Sequence, residues 1–365
     1  MSQLRTVQVL GGGAGSSARV SSLAAGLVAR GVQVTVCAPA GSCRAHGLPA
    51  TGARFVAVPR RSDPAAVAAL RTACTGADIV HAHGLHAAVR AGIALSGRGI
   101  PLVVTWHTRA HAQGARGRFL RLLERRAARA AAVVLGTSWE LVDRARRRGA
   151  RDARLAPAAI PAGRFPGALD DGKARAELGA VGRPLLVSVA QHGHDTLLDA
   201  ARQWGTLDPV PLLAVVGEGP RSGALRRRIA DEGLPVVLAG GPDDIGDLLA
   251  AADIAVLSGC GEGGPLLARE ALRLGVPLVA ARADGLPELA GDAAEFVPHG
   301  DAGALAGAVV RLLGDPGLRE RLADSGRAQA ASWPTEEETI AHVLSVYDEL
   351  AQPPGGRPDV SPQRV

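Results

Sequence analysis

The sequence predicts an α/β protein in which a doubly wound parallel sheet is built twice. The chain has 365 residues, more than one hydrophobic core usually serves, so two domains are the natural division. Its first half alternates short apolar runs with helical patterns, as a parallel sheet covered by helices requires. The same alternation restarts near residue 184.

The run TVQVL (6–10) is a strand that ends in glycines, and a helix follows to about Arg30. Further strands are expected at 32–38, 54–58, 78–83, 101–107 and 132–136. Helices fall across 64–75, up to about Ser96, and over 116–131. Pro157, Pro161 and Pro166, with glycines around them, mark a linker, and a small helix is expected over 170–178. Strands recur at 184–190, 211–217, 234–240, 253–259, 276–281 and 293–297. Between them lie helical patterns from Asp195, near 221–232, over 244–252 and from Pro265. Helices over 301–313 and 335–351 close the pattern, and residues 352–365 have the composition of a disordered tail. The expected division is therefore a first domain over 1–166, a linker over 167–182 and a second domain over 183–334. Two such domains in series put the carboxyl ends of both sheets at a shared cleft, where open α/β sheets bind ligands.

Composition narrows the function. Apolar content is 47%, enough for two cores, and the formal net charge is +6. That excess is modest for the length, and basic residues are not interleaved with aromatics, so nucleic-acid binding is not expected. One lysine, Lys173, stands among 41 basic residues, so a phosphate-binding cation must be an arginine. Cys37, Cys43, Cys74 and Cys260 form no CxxC pair and read as free thiols in a reducing compartment. No signal pattern and no long apolar run is present. The expected location is cytoplasmic, with the inner face of a membrane as the other candidate.

Five motifs carry candidate chemistry. In EGGPLLARE (262–270), Pro265 suits a first helical position with Gly264 before it. Leu266, Leu267, Ala271 and Leu274 then share one arc, and Glu270 falls inside it, away from Arg269 and Arg273. A carboxylate on an apolar face needs a partner. Glu262 lies where the helix dipole favours an anion. Gly11, Gly12, Gly13 and Gly15 after the first strand let backbone N–H groups approach an anion, or simply make a tight turn. A dinucleotide site would want an acid after the second strand, where Cys37, Ala38 and Pro39 stand instead. His81, His83 and His86 lack the further ligands of a metal site, so no metal is expected. His107 and Thr108 end a strand at the expected cleft, as site residues or as satisfied structural groups. Over 115–130, Arg118, Arg121, Arg125 and Arg129 share one helical face and Phe119, Leu122 and Leu123 another. That pattern reads as a solvated face over a buried one, or as a patch for an anionic acceptor or membrane surface.

These pieces, in this order, resemble glycosyltransferase family 4, retaining nucleotide-sugar transferases of the GT-B fold. The most specific match is 262–306, with two glutamates separated by seven residues and a GLPE continuation. GGGAGSS, DIVHAHGLHA, PLVVTWHT, GHDTLLDAA, VVGEGP and SWPTEEETIAHVLSVYDEL support it, over residues 5–350 of a chain with an actinobacterial-like composition. The resemblance implies two Rossmann-like domains facing each other across a cleft, with the 335–351 helix crossing back to the first. It implies a nucleoside-diphosphate-sugar donor of UDP or GDP type, no obligatory metal, and an unidentified acceptor, lipid-linked or anionic. Apart from the resemblance, the basic helix itself offers 116–129 for peripheral membrane contact. Glu270 would hold the ribose hydroxyls and Glu262 would face the donor sugar. Gly264, Pro265, Leu266 and Leu267 would offer backbone groups to sugar and phosphate. Gly12 and Gly13 would close over the diphosphate, and His107 would approach the donor sugar. The family places an Arg and a Lys after the first strand of the second domain. Here that segment reads VSVAQHGHDTLLDA (187–200), leaving Gln191, His192 and His194. Two readings follow. Histidines, backbone dipoles or an arginine such as Arg19 or Arg221 replace the pair, or the chain is a catalytically silent GT-B protein that binds a ligand or partner.

Overall fold

The computed structural model describes residues 3–11, 14–41, 48–59, 64–107, 114–157, 171–189, 193–217, 222–239, 245–259, 264–282 and 285–351, with the backbone alone at 14–18, 48–49 and 171. The chain divides into two compact units, 1–159 with 334–365, and 160–333.

The first unit is a seven-stranded sheet of β1 (Arg5–Leu10), β2 (Gln33–Ala38), β3 (Arg54–Ala57), β4 (Ile79–His83), β5 (Leu102–Trp106), β6 (Val133–Gly136) and β7 (Ala153–Leu155), ordered β3-β2-β1-β4-β5-β6-β7. Every pairing is parallel. Strands buried on both faces must read as near-continuous apolar runs, and β4, β5 and β6 are buried throughout. The order reverses between β1 and β4, which opens a crevice at their carboxyl ends.

Helices α2 (Pro64–Ala73), α3 (Leu85–Ala94), α4 (Gly114–Ala130) and α5 (Trp139–Arg147) cover one face. The other face is covered by α1 (Ala14–Ala29) together with α14 (Glu336–Ala351), which sends Ile340, Val343, Val346 and Tyr347 into the same core as Val20, Leu23 and Leu27. The close seat of α14 requires Gly26 on α1. A Cβ there would run into Ile340 Cδ1.

The second unit repeats the plan with β8 (Leu185–Val189), β9 (Leu212–Val216), β10 (Val236–Ala239), β11 (Ile254–Leu257), β12 (Leu278–Ala281) and β13 (Ala294–Val297), ordered β10-β9-β8-β11-β12-β13 and all parallel. Helices α6 (Asp171–Leu178), α9 (Ile245–Ala250), α10 (Gly264–Leu274) and α11 (Leu286–Ala290) line one face. The opposite face carries α7 (His194–Trp204), α8 (Ser222–Asp231) and α12 (Ala302–Gly314), and α13 (Pro316–Ala331) packs on both α10 and α12.

On α4, Phe119 and Leu122, expected on a buried face with Leu123, are 58% and 60% exposed, and the helix packs instead through Gly117, Glu124, Ala127 and Ala128. Besides a short 3-10 turn at Leu48–Thr51, four described elements have no counterpart in the sequence reading: β7, α5, α11 and α13. The three residues of β7 include an arginine, and α5 is so rich in arginine that its apolar stripe reduces to Leu141, Val142 and Ala145. In α13 only Leu322 and Gly326 are buried. The tail over 352–365 lies outside the described residues.

Candidate active site

At the carboxyl edge of the first sheet, β1, β4 and β5 turn polar side chains into a buried cluster. Gln8, His81, His83 and Thr105 are all buried, and Tyr347 reaches them from α14. Gln8 Nε2 donates to the Tyr347 hydroxyl at 3.0 Å, and that hydroxyl lies 2.6 Å from His81 Nδ1. His81 Nε2 is 2.6 Å from Thr105 Oγ1, and His83 Nε2 is 2.9 Å from Gln8 Oε1. The bonds close into one consistent assignment. In the assignment that also uses the tyrosine proton, Gln8 donates to the Tyr347 oxygen, the tyrosine donates to His81 Nδ1, and His81 carries its proton on Nε2 toward Thr105. His83 likewise donates from Nε2, which leaves its Nδ1 as a bare acceptor. His107 is the mirror case. Arg19 lies 3.3 Å from its Nδ1 and, being a donor only, makes that atom the acceptor and puts the ring proton on Nε2.

His83 Nδ1 and His107 Nε2 are both buried without a hydrogen-bond partner. One is an open acceptor and the other an open donor, on rings stacked 5.9 Å apart. Both line a cavity of about 50 Å³ walled by Arg19, Leu23, Leu135, Ile340 and Val343. Burial holds all three histidines neutral. The His83 ring is pushed down to about 3, and His81 and His107 lie well below the ordinary imidazole value, chiefly through burial, then through the other histidines of the cluster and, for His107, through Arg19.

In the second unit the carboxyl ends of β8 and β11 meet the starts of α7 and α10. Gly193 caps α7 with φ 83°, and a Cβ there would come within 3.0 Å of Ser258 O. Only glycine fits both demands. On α10, Gly264 and Leu267 are buried, and Pro265 and Leu266 are half-buried. Glu270 is 5% exposed and is held by Arg273, whose Nε donates to its two carboxylate oxygens at 3.2 and 3.1 Å. The helical arc assigned Arg269 to a polar face with Arg273. The structure corrects this, since Arg269 is buried and its guanidinium stacks 4.8 Å from the Trp333 ring. The flat, weakly hydrated cation tolerates that burial.

Residues 14–161 match the family of glycosyl transferase 4-like domains, and residues 175–315 match glycosyl transferases group 1. The chain belongs to the family 4-type glycosyltransferases. This glycosyltransferase is 32% identical over 198 residues to a GDP-mannose-dependent alpha-(1-6)-phosphatidylinositol monomannoside mannosyltransferase of Mycolicibacterium smegmatis, covering 49% of this chain and 52% of that one. It is 35% identical over 109 residues to an MMP alpha-(1->4)-mannosyltransferase of Mycolicibacterium hassiacum, covering 29% and 26%. The chain thus spans between about a quarter and a half of these relatives' length. The crystal structure of Anabaena HepE in complex with UDP superposes with a TM-score of 0.80 at 19% identity, over 95% of this chain and all of that one. The glycosyltransferase has the GT-B fold.

Among the residues singled out from sequence, the structure brings His107 together with His81, His83 and Arg19 in the first unit. In the second it gathers Gly264, Pro265, Leu266, Leu267 and Glu270 on one helix. Gly12, Gly13, Gln191, His192 and Glu262 lie outside the described residues, as do Thr108 and Arg221. Residues 190–193 alone connect β8 to α7. Among the described residues no three His, Cys, Asp or Glu side chains are placed to hold a metal ion.

The sequence reading missed Gln8, Tyr347 and Arg282. Arg282 directly follows β12 at the carboxyl edge of the second sheet, exposed and stacked 5.2 Å over Phe296. Signals for the first two were present. Gln8 interrupts an apolar strand, and Tyr347 is the single tyrosine of the chain.

Proposed function

We propose that this glycosyltransferase moves a sugar from a nucleoside-diphosphate sugar of UDP or GDP type to a hydroxyl acceptor, with retention at the anomeric carbon. The observation that carries the reading is α10, a helix starting at the carboxyl edge of the second sheet with Glu270 buried on it. The ribose hydroxyls would donate to Glu270, whose carboxylate Arg273 holds in place. The N–H groups of the first turn, at Gly264, Leu266 and Leu267, would face sugar and phosphate. Pro265 has no N–H to offer and sets the turn. Glu262, Gly12, Gly13, Gln191 and His192 remain assigned to the same donor, Glu262 and His107 at its sugar. His107 acts on the reacting sugar as a neutral donor through Nε2–H. No metal is proposed as obligatory. HepE was crystallised with UDP and with UDP-glucose, and the Mycolicibacterium smegmatis relative is named for GDP-mannose. Both classes therefore belong in the test.

Departure of the diphosphate is the costly step, because negative charge grows on it, and preorganised donors commonly lower that barrier by several kcal/mol. Arg282 is a candidate cation for this work in place of the family's Arg and Lys. The short 190–193 connection favours a second reading, a protein that binds the donor without turnover. Calorimetry with GDP-mannose and UDP-glucose, followed by donor hydrolysis, separates them. Binding with turnover supports transfer, binding alone supports the second reading, and no binding to either sinks both. Glu270→Ala is expected to weaken donor binding about tenfold or more, the worth of hydrogen bonds to a charged group.

A further inference from the structure

Helix α3 carries a buried charge with no opposite charge beside it. Arg90 is 2% exposed, and its guanidinium meets backbone only. Nη2 donates to Leu10 O at 2.9 Å and Nη1 to Pro59 O at 3.0 Å, while Nε is buried without a partner. Among the described residues it pairs with no carboxylate. The other interior arginines differ. Arg144 and Arg148 share Glu124, and Arg269 lies against the Trp333 ring. Burial lowers the Arg90 value from its ordinary one, but a guanidinium keeps its proton inside a protein.

Two carbonyls do not by themselves require a cation. A neutral amide could tie them at much smaller desolvation cost, since an unpaired ion is far more expensive to bury than a dipole. The position of the two carbonyls gives the charge a use. Leu10 ends β1 and leads directly into Gly11, Gly12 and Gly13, and Pro59 follows β3. These strands do not pair, because β2 lies between them, so Arg90 ties two carboxyl ends that the sheet leaves apart. Gly11 also rests on α3: a Cβ there would lie 3.6 Å from His83 O and 3.7 Å from Ala87 N, which is ordinary contact. The stem of the glycine loop is thus fixed to the helix that carries Arg90, and the charge stands at its root. A buried charge is screened less than an exposed one and acts over a longer distance.

We propose that Arg90 is a positioning residue for the donor diphosphate, fixing how β1 enters the glycine loop and setting a positive charge at the root of the segment assigned to the phosphates. The inference rests on the assignment of Gly12 and Gly13 to that diphosphate. It supplies positive charge in a chain whose 187–200 segment lacks the family's Arg and Lys.

The test is calorimetry on the full chain with UDP against UMP and GDP against GMP. Each pair shares base, ribose and first phosphate, so the ratio of affinities reads the second phosphate alone. Arg90→Gln keeps N–H donors and drops the charge, whereas Arg90→Lys keeps the charge. The diphosphate preference is expected to fall about tenfold in Arg90→Gln, as loss of a partly screened unit charge gives, and to stay within about threefold of the wild type in Arg90→Lys. Thermal melts show which variants fold, and Arg90→Met replaces the glutamine variant if that one does not. A purely structural tie would lower the melting temperature and leave the preference where it was. Two outcomes therefore overturn the proposal: a preference unchanged in the neutral variant, or one lost equally in the neutral and lysine variants. A wild-type chain that binds neither diphosphate overturns the donor reading, and this inference with it.

Discussion

Tyr347 is a single hydroxyl that serves two buried partners. Replacing it with phenylalanine keeps the ring but leaves Gln8 Nε2 and His81 Nδ1 without the oxygen they share. An unsatisfied buried polar group costs about 1–3 kcal/mol, so Tyr347→Phe is expected to lower stability by at least that amount, read from denaturant unfolding. An unchanged midpoint would show that water replaces the hydroxyl. The cluster was only half legible in sequence. Strand alternation announced His81 and His83 on β4, and His107 directly follows β5. Their partners come from 75 and 266 positions away, and no local pattern reports a contact of that separation. Glu270 illustrates the opposite case, since its inward direction follows from helical spacing alone, while the burial of Arg269 depended on Trp333 arriving from elsewhere.

Among the elements, the central strands were readable because burial on both faces leaves them almost no polar positions. Helices whose buried side is narrow were not. In α13, Asp315 caps the first turn through Leu318 N at 2.9 Å and Pro316 opens the helix. Those start signals stood in the sequence, but a polar body followed. The pairing of α1 with α14 gives a sharper test of element packing. Gly26→Ala would drive a methyl into Ile340, and overpacking of this kind typically costs about 1–3 kcal/mol. Ile340→Ala opens room for that methyl. The double variant is therefore expected to be more stable than the sum of the two single losses predicts, measured as a double-mutant cycle in chemical denaturation. Additive losses would mean that the helices separate in another way.

On the scale of the molecule, burying three neutral histidines links folding to pH. Unfolded histidine titrates near 6.5, whereas the His83 ring does so at about 3. Between those values the unfolded chain binds a proton that the folded one refuses, so stability rises with pH. The contribution is level above about 6.5 and is lost steadily as pH falls toward 3. Melting temperatures at pH 8 and pH 5 should differ, and His83→Gln should shrink the difference. A profile that stays level across this window in the wild-type chain would place these rings in water. The buried thiols work in the other direction chemically. Cys37 is pushed up to about 12 and Cys74 to about 11, mainly by burial, which keeps both unreactive near neutrality.

The return of α14 to the first unit also sets an order of events at the ribosome. Gln8 and His81 emerge early, but the hydroxyl that joins them leaves the exit tunnel only after all of 160–333 has been made. Until then the early half of the chain carries a polar gap and an uncovered apolar floor around Val20 and Leu27. Release of a nascent chain before Tyr347 would therefore yield a first unit that is complete in its strands yet unsealed, a natural substrate for holding chaperones.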